Sequence, residues 1–191
     1  MNGKIRRFFT ILRRVIVVLI AGGTITFVTA LVLNPPRMGE DLLEELSIDF
    51  PSCSIRVRAY EEVGMFALVP GCYYVFEARH KEQEHWSRVV VFRNDDHVPI
   101  PKNQIRAKGK VIFFFIGWIF AISPDGGRTW YVRDMLKELA NLGYEEQLNY
   151  RLIKDAHISP NGEGVMLLSP VKNAPGMLVT HNYGLKWHVK K

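Results

Sequence analysis

Outside one long apolar run near the start, hydrophobic residues fall in short bursts separated by polar turns about every ten residues, the rhythm of an all-β fold. Ile55, Val57 and Ala59 alternate with Arg56 and Arg58, which predicts a half-buried strand over 54–60. Runs at 64–69, 73–78 and 86–92 predict three more strands, the last entered after the polar turn His80 to His85. Residues 111–122 are the most apolar of the β-like segments. They are too short to cross a bilayer and rich in β-branched and aromatic side chains, so they predict two buried strands hinged near Gly117; an exposed aromatic surface for a partner or lipid is the alternative. The period changes once, within 133–149. There Met135, Leu136, Leu139 and Leu142 fall at helical spacing, with Asp134 placed to cap the helix and Gly143 to end it. A turn from Ser159 to Gly164 then precedes a strand over 165–169.

The long apolar run, 15–33, carries no charge and approaches the ~20 residues a membrane-spanning helix needs. Lys4, Arg6, Arg7, Arg13 and Arg14 precede it, and no acidic residue occurs before Glu40. The positive-inside rule therefore keeps 1–14 as a basic cytoplasmic tail and exports the chain beyond the run. A single-pass, uncleaved signal-anchor in the inner (cytoplasmic) membrane is expected; cleavage near Val28-Thr29-Ala30 is the competing account and exports the same domain. Residues 34–50, opened by Asn34-Pro35-Pro36, read as a juxtamembrane linker or short helix, and 51–191 as an exported β domain in the periplasm or outside.

Orientation also explains the net charge of +6. Five of the 25 Lys and Arg residues belong to the tail, which leaves 20 against 19 Asp and Glu, so a nucleic-acid partner loses its main support. Cys53 and Cys72 are the only cysteines and lie in the exported part. An oxidising compartment predicts a disulfide between them, with two buried free thiols as the alternative.

One stretch stands out from this background. Ser123-Pro124-Asp125-Gly126-Gly127-Arg128-Thr129-Trp130 reads as a tight β-turn in which Asp125 accepts hydrogen bonds from the reversing backbone and Trp130 covers it. The pattern formed by Ser123, Asp125, Gly127, Thr129 and Trp130 resembles the Asp-box repeat, found between strands of β-propeller blades in sialidase-like proteins. Thr180, Asn182, Gly184 and Trp187, within 180–187, resemble a degenerate second copy in which Lys186 stands where Thr is expected. Trp86 would end a third, eroded unit. The spacings are 44 residues to Trp130 and 57 to Trp187, nearly equal once an inserted helix of about 13 residues is removed. The resemblance implies about three propeller-like antiparallel blade units; with the helix and the apolar run read above, the expected fold is mainly β with one inserted helix, preceded by a single N-terminal transmembrane helix.

In that family the box is a folding device, so it implies architecture and not chemistry. No Gly-x-Ser-x-Gly elbow, His-Glu-x-x-His helix or phosphate-cradling loop occurs, and the six histidines are dispersed. No enzyme activity, cofactor or metal is expected. His80 and His85 are expected in solvent at a charged turn. His80, Glu82, Glu84, His85, Asp95 and Asp96 are the partner-binding candidates, together with the loops 80–85 and 94–104 and the helix 134–142, which interrupt the repeat. In size, single anchor, cysteine pair and blade pattern the chain is similar to membrane-anchored periplasmic immunity proteins that neutralise lipase effectors of type VI secretion. That resemblance implies a steric inhibitor of a secreted toxin with a protein partner. An accessory or assembly subunit of a membrane complex and a small-ligand or glycan-binding module are the alternatives.

Overall fold

The computed structural model describes residues 37–63, 71–95, 97, 99–100, 102–144, 153–170 and 174–190. The apolar run 15–33 with its basic tail, the run at 64–69 and Asp96 lie outside the described residues. Among the described residues no helix is long and apolar enough to cross a membrane.

The described chain is mainly β: three antiparallel sheets of four strands and one α-helix. The first sheet is β1 (Arg37–Asp49), β2 (Cys53–Val63), β3 (Cys72–His80) and β4 (Ser87–Asn94), each strand beside the next in sequence. The second is β5 (Ile105–Lys108), β6 (Val111–Ile116), β7 (Ile119–Ser123) and β8 (Tyr131–Asp134); the third is β9 (Ile153–Ile158), β10 (Gly164–Leu168), β11 (Met177–Thr180) and β12 (His188–Val189). Neighbour-to-neighbour pairing makes every connection within a sheet short, as antiparallel hairpins allow.

The second sheet lies between the other two. Ile112, Phe114, Ile116, Ile119 and Ala121 pack with Ile55, Val57, Tyr74 and Phe76 of the first sheet, and Phe76 stacks on Phe114 at 4.1 Å. The alternate residues Val111, Phe113, Phe115, Phe120 and Ile122 pack with Ile158, Met166, Leu178 and Trp187 of the third. Every residue of β6 and β7 is therefore buried, which accounts for the unbroken apolar run: a strand covered on both faces has no polar side to alternate with. Gly117 makes the hinge between them in a left-handed conformation (φ +56°).

The helix α1 (Met135–Asn141) follows β8 directly. Asp134 Oδ1 accepts from Leu136 N at 3.0 Å and Lys137 N at 3.4 Å, Met135 and Leu139 turn into the second core, and Gly143 (φ +87°) follows the last turn.

Two expectations change. The linker expected over 34–50 is largely strand: 37–49 forms β1, paired with β2 from Arg37↔Val63 to Asp49↔Ser54. Its Leu42, Leu43 and Leu46 fit helical spacing too, but Glu44, Leu46 and Ile48 are half-buried while Glu45, Ser47 and Asp49 are exposed, a period of two. Packing of Leu46 and Ile48 on the first core decides between the periods.

The disulfide is also absent. Cys53 pairs across the hairpin with His80, and Cys72 with Glu61, so the two cysteines sit at opposite ends of β2 and β3. The strand from Cys53 to Glu61 is roughly 27 Å long at about 3.4 Å per residue. A disulfide needs Cα atoms within about 7 Å. Both thiols are free and buried, and burial pushes both above their ordinary pKa, so they behave as small core hydrophobes.

Candidate functional site

In all three sheets the turn between the third and fourth strands lies beside the turn between the first and second. A backbone N–H of the later turn donates to a carbonyl of the earlier one: Lys81 to Ser52 at 3.0 Å, Gly126 to Lys110 at 2.8 Å, and Tyr183 to Gly162 at 2.8 Å. Each later turn also delivers a tryptophan, Trp86, Trp130 or Trp187, immediately before the fourth strand.

The hydrogen bonds of the second and third turns correspond residue by residue. Ser123 Oγ accepts from Gly127 N at 2.7 Å, and Thr180 Oγ1 from Gly184 N at 3.0 Å. Asp125 Oδ1 accepts from Thr129 N at 2.9 Å, and Asn182 Oδ1 from Lys186 N at 3.0 Å. Gly127 and Gly184 both take positive φ (+96° and +74°), and so do the residues before them, Gly126 (+79°) and Tyr183 (+60°). Replacing Asp by Asn keeps the acceptor that the turn requires. Replacing Thr129 by Lys186 keeps the backbone donor, while the Thr129 hydroxyl that bonds Asp125 Oδ2 at 2.6 Å has no counterpart.

The first turn uses different chemistry in the same place. His80, not a hydroxyl residue, ends β3, and its Nδ1 accepts from Glu82 N at 3.3 Å, as Thr180 Oγ1 accepts from Asn182 N at 3.3 Å. His80 is accordingly buried, at 7% exposure beside 0% for Ser123 and 1% for Thr180, and is not the solvent histidine expected. Single-sequence reading could not find this, because imidazole replaces hydroxyl and the turn is one residue shorter.

Asp125 is fully engaged. Burial pushes its carboxyl up, but the Thr129 hydroxyl and amide, the Ser123 hydroxyl and the Arg128 amide outweigh it and hold the group below the usual carboxylate range. A carboxylate so occupied stays ionised and works as a structural acceptor.

The other described partner-binding candidates fall at two places, Glu82, Glu84 and His85 in the turn between β3 and β4 and Asp95 just after β4. Glu82 meets Arg128 through both oxygens at 3.0 Å, tying the first sheet's turn to the second's. Glu84 and His85 are exposed, Asp95 is an exposed partner of Arg93, and Arg93 also reaches the buried Glu62, whose carboxyl this guanidinium holds low. Within the 94–104 loop, Ile100 N donates to the Glu44 carboxylate and Ile100 packs on the first core. Among the described residues no group of three or more His, Cys, Asp or Glu could hold a metal.

An open groove of about 620 Å³ runs between the first and second sheets' turns, lined by Ser52, His80, Lys81, Lys110, Asp125 and Arg128 among others. A second feature was missed at the sequence level. Arg56 and Arg58 of β2, Arg79 of β3, Arg88 of β4 and Trp86 gather on the face of the first sheet turned away from the core, around Glu77. The alternation of Ile55, Arg56, Val57 and Arg58 was its only local signal. Strand register supplies the rest.

Compared with protein-family models, with curated proteins and with solved structures, the chain matches none.

Proposed function

We propose that this chain is a membrane-anchored periplasmic protein-binding domain that acts as an immunity protein, sterically neutralising a secreted, type VI lipase-like toxin. The observation that carries this reading is the threefold repeat of a four-stranded sheet whose fourth strand is entered from a tryptophan, two of the turns sharing one hydrogen-bond scheme. The repeat supports reading the turns as Asp-boxes and the sheets as propeller-like blade units, a scaffold that presents surfaces and loops to a partner. The uncharged run 15–33 after a basic tail supports tethering at the membrane under attack, where a local inhibitor has a high effective concentration.

Cells carrying the full chain are expected to survive delivery of a cognate secreted lipase that kills cells lacking it. The purified lipase should lose activity when the chain is added in equimolar amount. Failure to protect, with recovery of a resident membrane complex from unstressed cells, overturns the reading in favour of an accessory subunit.

A further inference from the structure

We infer that the outer face of the first sheet is an acidic-partner docking surface, with Arg56, Arg58, Arg79 and Arg88 as its charges and Trp86 as its apolar anchor. Ile55, Val57 and Ala59 point into the core, so the alternate residues Arg56 and Arg58 point outward, as do Glu77 and Arg79 on β3 and Arg88 on β4, which stands opposite Glu77 in the strand register.

Around Trp86 the arginines outnumber the carboxylates that bond them, whereas farther along the same face Arg93 is paired with Glu62 and Asp95. Arg56 and Arg58 both bond the same Glu77 Oε2, at 2.9 and 2.8 Å, so two guanidiniums share one carboxylate. Arg79 and Arg88 have no carboxylate partner among the described residues, and Arg58 Nε is buried without an acceptor. Neighbouring strands relieve this little. Glu45 of β1 sits across from Arg58 without an ion pair among the described residues, and Asp49 is engaged by the Ser54 hydroxyl.

Three of the four arginines, Arg56, Arg58 and Arg79, are also held in place. The Arg56 and Arg79 guanidiniums lie over the Trp86 ring at 4.5 and 4.9 Å from its centre, and Glu77, 8% exposed, anchors Arg56 and Arg58 from beneath. Guanidiniums fixed by stacking lose little freedom when they take up a carboxylate in bidentate fashion, which favours Asp and Glu side chains as the ligand. Arginine and tryptophan are also the residues that dominate protein–protein binding energy. A diffuse anionic lipid surface would be served as well by unfixed lysines, whereas planar guanidiniums held in one orientation suit discrete carboxylates. The occupant assigned is therefore an acidic segment of another protein.

The assignment rests on the toxin-binding reading for the partner's biological identity, and its chemistry is testable alone. Full-length protein in neutral detergent micelles would be titrated with a fluorescein-labelled oligoglutamate peptide at low salt. Saturable binding is expected, weakened about tenfold or more by R79Q/R88Q. It should be unchanged when the tail residues Lys4, Arg6, Arg7, Arg13 and Arg14 are replaced by Gln. E77Q, which removes the competing negative charge while its amide oxygen still accepts from Arg56 and Arg58, should tighten binding, so a folding defect in R79Q/R88Q leaves an independent sign to read. Binding that is insensitive to R79Q/R88Q and E77Q, or that disappears with the tail variant, overturns the assignment. So does R79Q/R88Q-sensitive binding to phosphatidylglycerol vesicles without peptide binding, which would make the face a lipid contact. None of these failures touches the lipase-protection assay, so loss of the docking face and loss of the immunity reading are separable.

Discussion

Asp125 Oδ1 accepts from Ser123 Oγ, Arg128 N and Thr129 N, and Oδ2 accepts from the Thr129 hydroxyl, so one side chain closes a whole turn. Asp125→Ala is expected to lower stability by about 0.5–2 kcal/mol, the range of lost capping carboxylates, read from a denaturant midpoint. The acid limb tests the charge. Because its folded pKa is depressed, Asp125 contributes stability above the ordinary carboxylate range, near pH 4, and loses it as pH falls through the depressed value. Asp125→Asn should therefore flatten the fall of Tm with acidification, and an unchanged acid limb would assign that fall to other groups such as Glu62. Gly127 and Gly109 both need positive φ, but only at Gly127 would a Cβ strike a neighbour, Cys53 Cβ and Sγ at 2.5 Å. Gly109→Ala should cost about 1 kcal/mol, as strained left-handed backbone does. Gly127→Ala should cost clearly more, since there the turn of the second sheet must also move away from the first.

Among the elements, the β2–β3 hairpin decides the fate of the cysteines. In the unfolded chain they are about 20 residues apart and free to meet; in the register Cys53↔His80 and Glu61↔Cys72 they cannot. Denatured protein without reductant is expected to bind two equivalents of a maleimide per chain, and the native protein to react slowly because both thiols are buried. Zero labelling in denaturant would contradict the register. The helix α1 is seven residues long, too short to persist alone, so its cap and its two buried side chains sustain it. Asp134→Ala should remove about 1 kcal/mol, measured by thermal melting.

On the scale of the molecule, the second sheet is the shared wall of both cores. Phe114 stacks on Phe76 and contacts Trp130, while Phe120 meets the Trp187 edge on the opposite face. Phe114→Ala is expected to destabilise by about 3–5 kcal/mol. Because one sheet closes both cores, CD and tryptophan fluorescence should report a single transition at a common midpoint in the variant as in the parent; two separated transitions would mean that the sheets fold independently.

What the sequence by itself determined are the features written in local chemistry. The β rhythm, the two buried strands around Gly117, the Asp134-capped helix and the turn around Asp125 all arise from side-chain period, positive-φ glycines and short-range acceptors, which need no distant partner to act. The tertiary structure alone decided what depends on register and on the far side of a contact. Leu42 to Ile48 could follow a helical or a strand period until Leu46 and Ile48 found the first core. His80 became an interior turn acceptor because β3 ends there, and two cysteines that the chain could have joined were held apart by their hairpin. Arg56, Arg58, Arg79 and Arg88, scattered over three strands, became one face only when those strands paired.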